Sequence, residues 1–196
     1  MNFFTTRIVG FLTKQGVISN EADVQDFYRY GIEISISSFL NIFLVVLIGI
    51  IIHHVIESVV FLVMFILIRS FTGGYHADTY FRCNLLMCTT FVLTVLVNNM
   101  YYNKMSLFII IVLVCITELI VSILGPIENK NKPIDDSKKI RLKITGMIIT
   151  LIINCIGLFL RKNILGTMII LTALLIAILM VAAKIKEKRG DTYEKV

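Results

Sequence analysis

One histidine and one cysteine share a short polar stretch between two long apolar runs. The stretch reads R-S-F-T-G-G-Y-H-A-D-T-Y-F-R-C and contains His76 and Cys83. A thiolate is the nucleophilic form of cysteine, and a nearby imidazole can act as its general base and acid. These residue types predict attack of the Cys83 thiolate on a peptide carbonyl, with His76 protonating the leaving amine. On spacing alone, however, such residues are chance neighbours more often than a catalytic pair.

The separation of the two residues sets a condition on the backbone between them. They lie seven positions apart, and a straight helix would place them roughly 10 Å apart along its axis. The chain must therefore bend for the side chains to meet, and Gly73-Gly74 can supply the bend because glycine tolerates unusual backbone angles. We expect Cys83 to open a helix, whose N-terminal dipole favours a thiolate, and His76 to lie on the preceding loop.

Three charged residues are weaker candidates for binding or orienting a substrate. Asp78 can orient His76. Arg69 can clamp a carboxylate or an acidic segment, although an arginine at the end of an apolar run also snorkels to lipid phosphates. Glu118 lies inside an apolar run, where a carboxylate is costly and needs a partner or a role. Pairing with Arg69 and proton coupling are both open for Glu118, whereas the uncharged Asn154 is expected to hydrogen-bond between helices.

The composition places the chain in the membrane. Its mean hydropathy is +0.88, and 57% of its residues are hydrophobic while only 16% are charged. About 20 apolar residues in a helix cross a bilayer core of about 30 Å. We therefore predict an all-α integral membrane protein, a single membrane domain over residues 1–196. Its six transmembrane helices are expected at about 34–52, 55–70, 84–100, 106–125, 144–160 and 163–183.

The basic residues predict the orientation of these helices. If the N-terminus is inside, all 19 lysines and arginines except Lys104, Arg161 and Lys162 fall on the cytoplasmic side. This bias predicts that both termini and the stretch with His76 and Cys83 face the cytoplasm. The net charge of +6 is then explained by the membrane, and no nucleic-acid partner is expected.

The N-terminal segment and the cysteines lead to two further predictions. Residues 1–30 contain no predicted span, and Phe4, Ile8 and Phe11 recur at helical spacing. This pattern predicts an amphipathic helix lying on the membrane surface, with a frayed terminus as the alternative. The four cysteines show no metal-ligand spacing, so neither a metal nor another cofactor is expected.

Two patches of the sequence carry a family resemblance. The first combines an arginine at the end of the second span, a glycine turn and His-x6-Cys. The second is L-G-P-I-E-N-K-N-K-P at residues 124–133, a proline after the fourth span followed by an acidic residue and N-K-P. On these motifs the chain resembles the accessory gene regulator protein B (AgrB) family of membrane cysteine endopeptidases. The residues that match are Arg69, Gly73, Gly74, His76, Cys83, Pro126, Glu128, Asn131, Lys132 and Pro133.

The resemblance implies an activity and its partners. Such enzymes remove the acidic C-terminal tail of a short amphipathic quorum-sensing propeptide and hold the remainder as an acyl-enzyme thioester on the cysteine. A Cys or Ser of the propeptide then attacks and closes a thiolactone or lactone ring. The resemblance also implies a homodimer in the bacterial cell membrane, with the active site facing the cytoplasm.

Two other function classes remain open from the residues themselves. A small proton-coupled transporter or peptide exporter would use Glu118 as its proton-linked group. A non-catalytic membrane scaffold would depend on neither Glu118 nor Cys83. Substitution of these two residues separates the three hypotheses.

Overall fold

The computed structural model describes residues 2–74, 79–127 and 135–193. The described residues contain seven α-helices and no strand. The chain divides into two compact units, residues 1–44 and residues 45–196. The helices are α1 (Asn2–Lys14), α2 (Ala22–Ile51), α3 (Val55–Thr72), α4 (Tyr80–Tyr101), α5 (Leu107–Leu124), α6 (Asp136–Phe159) and α7 (Ile164–Tyr193).

Six of these helices, α2 to α7, are long and apolar enough to cross a membrane. The predicted number of spans is therefore confirmed. The helices α2, α6 and α7 extend beyond the predicted spans into polar sequence, and the bounds of the spans themselves stay predictions. Hydropathy locates only the apolar part of a helix, whereas intrahelical hydrogen bonds continue through polar residues. As one result, the predicted amphipathic segment 1–30 divides between α1 and the first turns of α2.

The first unit contains α1, a turn and most of α2. The turn after α1 is made at Gly16, whose φ is +70°, a conformation that glycine adopts readily. The buried side chains of α1 are Thr5 and Val9, and the Thr5 hydroxyl donates to a Glu33 carboxylate oxygen at 3.1 Å. Phe11 of α1 is exposed. Residues 2–14 are therefore helical, and both the amphipathic character of α1 and its contact with a membrane surface stay predictions.

The second unit is a helical bundle with α7 at its centre. α7 packs against α3, α4, α5 and α6, and it is the most buried of the six candidate spans. Aromatic rings fill the space between α3 and α4. The Phe61 ring lies 5.5 Å from that of Phe65 and 5.3 Å from that of Phe91. Removing one such buried ring typically costs about 3–5 kcal/mol.

Several polar side chains are buried in this bundle and find partners within it. Threonine hydroxyls donate to carbonyls of their own helices, as Thr94 does to Thr90 at 2.7 Å and Thr172 to Met168 at 2.8 Å. Asn98 of α4 instead donates to the Ile164 carbonyl at the start of α7, at 3.2 Å. In a hydrocarbon environment such internal hydrogen bonds are needed, because lipid offers no partner.

Candidate active site

Cys83 lies in the first turn of α4. The helix is capped by Thr79, whose hydroxyl accepts a hydrogen bond from the Arg82 amide at 3.3 Å. The Cys83 amide donates to the Thr79 carbonyl at 3.0 Å, so the residue is part of the regular helix. Its side chain is half-buried and forms no disulfide. The prediction that Cys83 opens the third spanning helix is confirmed.

Arg69 lies in the last turn of α3, within electrostatic range of this cysteine. Its guanidinium is close enough to the Cys83 thiol for their charges to interact. The same guanidinium lies over the Phe65 ring, with its central carbon 5.4 Å from the ring centroid. Phe65 precedes Arg69 by one helical turn, so the two side chains share a face. The Phe65 ring and the Arg69 guanidinium therefore form a cation–π contact.

The two glycines that follow α3 pack closely and have different roles. Gly73 ends the helix with φ +70° and ψ −159°, and its amide donates to the Arg69 carbonyl at 3.0 Å. This backbone region is almost restricted to glycine. Gly74 is buried, and a Cβ atom there would lie 3.4 Å from Nε of Arg69. Gly73 therefore allows the bend, whereas a Cβ atom on Gly74 would make only an ordinary van der Waals contact with Arg69.

The second sequence patch reaches the same end of the bundle. The Ile127 amide donates to the Thr72 carbonyl at 2.9 Å. A Cβ atom on Gly73 would collide with the Ile127 carbonyl oxygen, so the two backbones are in close contact. On α6, Gly146 packs against the Thr72 methyl group. The start of the second patch is therefore attached directly to the glycine turn of the first.

Some of the predicted site residues lie outside the described part of the chain. They are His76 and Asp78 in the first patch, and Glu128, Asn131, Lys132 and Pro133 in the second. The pairing of His76 with Cys83 thus stays a prediction. The described neighbours of Cys83 are a cation, a helix N-terminus and a sharp turn. This arrangement can support an anionic sulfur and, after attack, a negatively charged intermediate.

The family comparison decides which family the chain belongs to. Residues 5–181 match the family model of accessory gene regulator B, a match that includes both patches and all or most of each candidate span. The chain belongs to the accessory gene regulator B family. No curated protein and no solved structure gives a significant match. The AgrB family acts in quorum-sensing peptide processing, generally as a peptidase, and a multi-pass bacterial membrane protein fits both the family and the six apolar helices.

Glu118 of this AgrB family member lies elsewhere, between α5 and α6. One carboxylate oxygen accepts a hydrogen bond from the Asn154 carboxamide at 2.9 Å. Asn154 is completely buried, and its carboxamide oxygen has no partner within the described residues. The predicted interhelical role of Asn154 is confirmed. The substrate-orienting role considered for Glu118 stays a prediction, as does its pairing with Arg69.

Sequence reasoning missed two features of the site. The first is Phe65, whose spacing from Arg69 places a ring directly below the cation and is a usable signal. The second is the hydrogen bond between Ile127 and Thr72, which has no sequence signal because it joins backbone atoms of distant segments. The site is therefore more tightly organised than its motif suggests.

Proposed function

We propose that this protein is a membrane cysteine endopeptidase that removes the tail of a quorum-sensing propeptide and cyclises the remainder. The observation that carries the proposal is the half-buried Cys83 in the first turn of α4, with Arg69 at the end of α3 within electrostatic range of it. Membership of the AgrB family supports the substrate class. His76 is proposed as the general base and acid.

The first half of the reaction breaks one peptide bond. The Cys83 thiolate attacks the carbonyl carbon, forming a carbon–sulfur bond and a tetrahedral oxyanion. The oxyanion collapses, the carbon–nitrogen bond breaks, and protonated His76 gives its proton to the departing amine. The tail leaves with a free amino group, and the remainder of the propeptide is held on Cys83 as a thioester.

The second half transfers the acyl group within the bound peptide. A Cys or Ser of the propeptide gives its proton to His76 and attacks the thioester carbonyl. The new bond closes the ring, and the Cys83 thiolate leaves unchanged. Attack by another thiol exchanges one thioester for another, so this step needs little driving force. Water competes for the same carbonyl, and holding the internal nucleophile close favours the ring.

Arg69 has an electrostatic role in this scheme. A fixed cation beside Cys83 favours the sulfur anion at the start and again when it departs from the thioester. Phe65 restricts the guanidinium to one position, so little reorganisation is needed during the reaction. The close contact of Gly73 with Ile127 holds the turn that follows Arg69 in place.

The orientation and partners belong to the same proposal. The distribution of lysine and arginine favours an active site on the cytoplasmic face, where an acidic propeptide tail would be attracted to basic residues. An amphipathic propeptide would reach the enzyme along the lipid surface. A homodimer rests on the family resemblance.

The test uses the full-length protein in liposomes with a candidate propeptide from a neighbouring reading frame. Intact mass spectrometry should detect an adduct on Cys83 and a tail-less product lighter by one water than the linear acid. Cys83→Ser should abolish the thioester adduct and the thiolate-dependent cleavage, while Cys88→Ser, a change of a half-buried cysteine in the same helix, should retain both. Full cleavage by Cys83→Ser would contradict the proposal.

A further inference from the structure

The end of the second unit opposite Cys83 carries an apolar groove. It runs between α4 and α5 and has a volume of ≈ 480 Å³. Its walls come from α4, α5 and the loop that joins them, and its floor from α7. The lining residues are Val97, Tyr101, Lys104, Met105, Ile109, Leu113, Leu171 and Leu174.

The groove exists because α4 and α5 do not close on each other. In the described part of the chain both helices pack on α7, and no extensive α4–α5 contact is formed. Asn103, with φ +64°, turns the chain sharply between them. The space left along α7 therefore lies between two candidate membrane spans.

The chemistry of the lining restricts what can occupy this space. Apart from Lys104 and the Tyr101 hydroxyl, the side chains of the lining offer only carbon and sulfur atoms. A peptide backbone placed there would leave its amides and carbonyls without partners, which is costly in hydrocarbon. An acyl chain has no polar group to satisfy, so it fits such a lining.

A cation marks one end of the groove. Lys104 is exposed, and its ammonium group has no ion pair within the described residues. Tyr102, two residues earlier, donates through its hydroxyl to the Lys162 carbonyl at 3.4 Å. This contact brings Arg161 and Lys162 to the same end of the bundle. An anionic group above the groove would therefore meet an accumulation of positive charge.

We propose that this groove binds an anionic phospholipid, with one acyl chain between α4 and α5 and its phosphate at Lys104. The site is separate from Cys83 and does not depend on the peptidase activity. Its occupant would fill the gap between two helices that form no extensive contact with each other in the described part of the chain, and so would stabilise the bundle.

Native mass spectrometry of the full-length protein tests this site. Phosphatidylglycerol and phosphatidylcholine with identical acyl chains are added in equal amounts to the detergent-purified protein. One surface cation contributes about 1 kcal/mol to anionic lipid binding, which is about a fivefold preference. We expect the wild type to retain phosphatidylglycerol over phosphatidylcholine by about that factor. Equal retention of the two lipids would overturn the proposal without any variant.

Two matched pairs of variants locate the bound lipid. Lys104→Gln should remove most of the headgroup preference, whereas Lys162→Gln, an equal charge change at the same end but outside the groove, should lower it much less. Leu113→Trp should fill the groove and lower retention of both lipids, whereas Ile116→Trp, on the exposed face of the same helix, should not. Equal effects within either pair would place the lipid elsewhere and reject the site.

Discussion

The two ends of the second unit both contain polar clusters, but their side chains are arranged differently. At the end opposite Cys83, Nδ1 of His54 lies 3.0 Å from a Glu57 carboxylate oxygen. Its Nε2 lies 3.1 Å from the Asn99 amide nitrogen. Both ring nitrogens are therefore occupied, and the cluster links the start of α3 to the end of α4. A histidine held in this way stabilises the fold and has no free nitrogen for catalysis.

The Cys83 end differs, because the proposed nucleophile is a half-buried thiol in the first turn of a helix. Arg69 lies within electrostatic range of that thiol. The contrast shows that a histidine or a charge is not by itself a sign of function. What would distinguish a reactive end is an available nucleophile that nearby charges support, as we propose for Cys83.

The largest expected difference between the two ends comes from their histidines. His76→Ala should reduce acyl-enzyme formation by about 10²–10⁴-fold, because general acid–base catalysis contributes on that scale. His54→Ala should leave the rate nearly unchanged and lower the free energy of unfolding by about 1–2 kcal/mol, since it removes two hydrogen bonds. The measurements are adduct formation by mass spectrometry and thermal unfolding in detergent. Loss of catalysis in His54→Ala would remove the distinction between the ends.

The second prediction concerns the cation. Arg69→Gln should slow adduct formation by roughly 10–100-fold, which corresponds to about 1.4–2.7 kcal/mol of lost electrostatic support. Arg69→Lys should recover part of the rate, because lysine keeps the charge but not the planar group over Phe65. Alkylation of Cys83 by iodoacetamide should slow in the same order. Arg82→Gln, next to Cys83 but with an exposed side chain, serves as the control, and an equal loss there would reject a specific role for Arg69.

A third prediction tests the turn that joins the two patches. Gly73→Ala should cost about 1–3 kcal/mol, because its backbone region excludes a side chain, and its new methyl group would displace Ile127. Gly16→Ala is the matched control, since Gly16 has the same φ of +70° but no atom within 4 Å of the place that a Cβ atom would occupy. Gly73→Ala should have a lower melting temperature than Gly16→Ala. Of the two changes, only Gly73→Ala should lower activity. Equal effects of the two changes would mean that the Ile127 contact is unimportant.

The smallest effect on stability is expected for substitution of Glu118, which lies in α5 between the two ends of the bundle. Glu118→Ala should destabilise the bundle by about 0.6–1.7 kcal/mol, the usual range for a hydrogen bond between membrane helices. Glu118→Gln keeps an acceptor for Asn154 and should be close to the wild type in thermal unfolding and peptide cleavage. If Glu118→Gln blocks release of product from vesicles while cleavage continues, the proton-coupled exporter hypothesis gains support.

Much of the fold was accessible from the sequence, because the apolar runs are long and the loops between them short. The start of α4 near Cys83 was also predictable, since Gly73-Gly74 and Thr79 interrupt the apolar pattern. The full length of α2 and α7 was not predictable, because hydropathy gives no information about helical structure outside the apolar region. The contact of Ile127 with Thr72 joins backbone groups of distant segments, so the residue types could not predict it. The orientation in the membrane rests on the basic residues alone and stays a prediction.

The central position of α7 has a consequence for how the protein is made. α3 to α6 leave the ribosome before α7 and insert without the helix on which each of them packs. Until α7 arrives, Asn98 lacks the Ile164 carbonyl to which it donates. Newly made chains therefore pass through an interval in which buried polar groups face lipid or one another. A chain that stops before α7 would remain in that state, recognisable to membrane quality-control proteases by the polar groups it leaves unpaired.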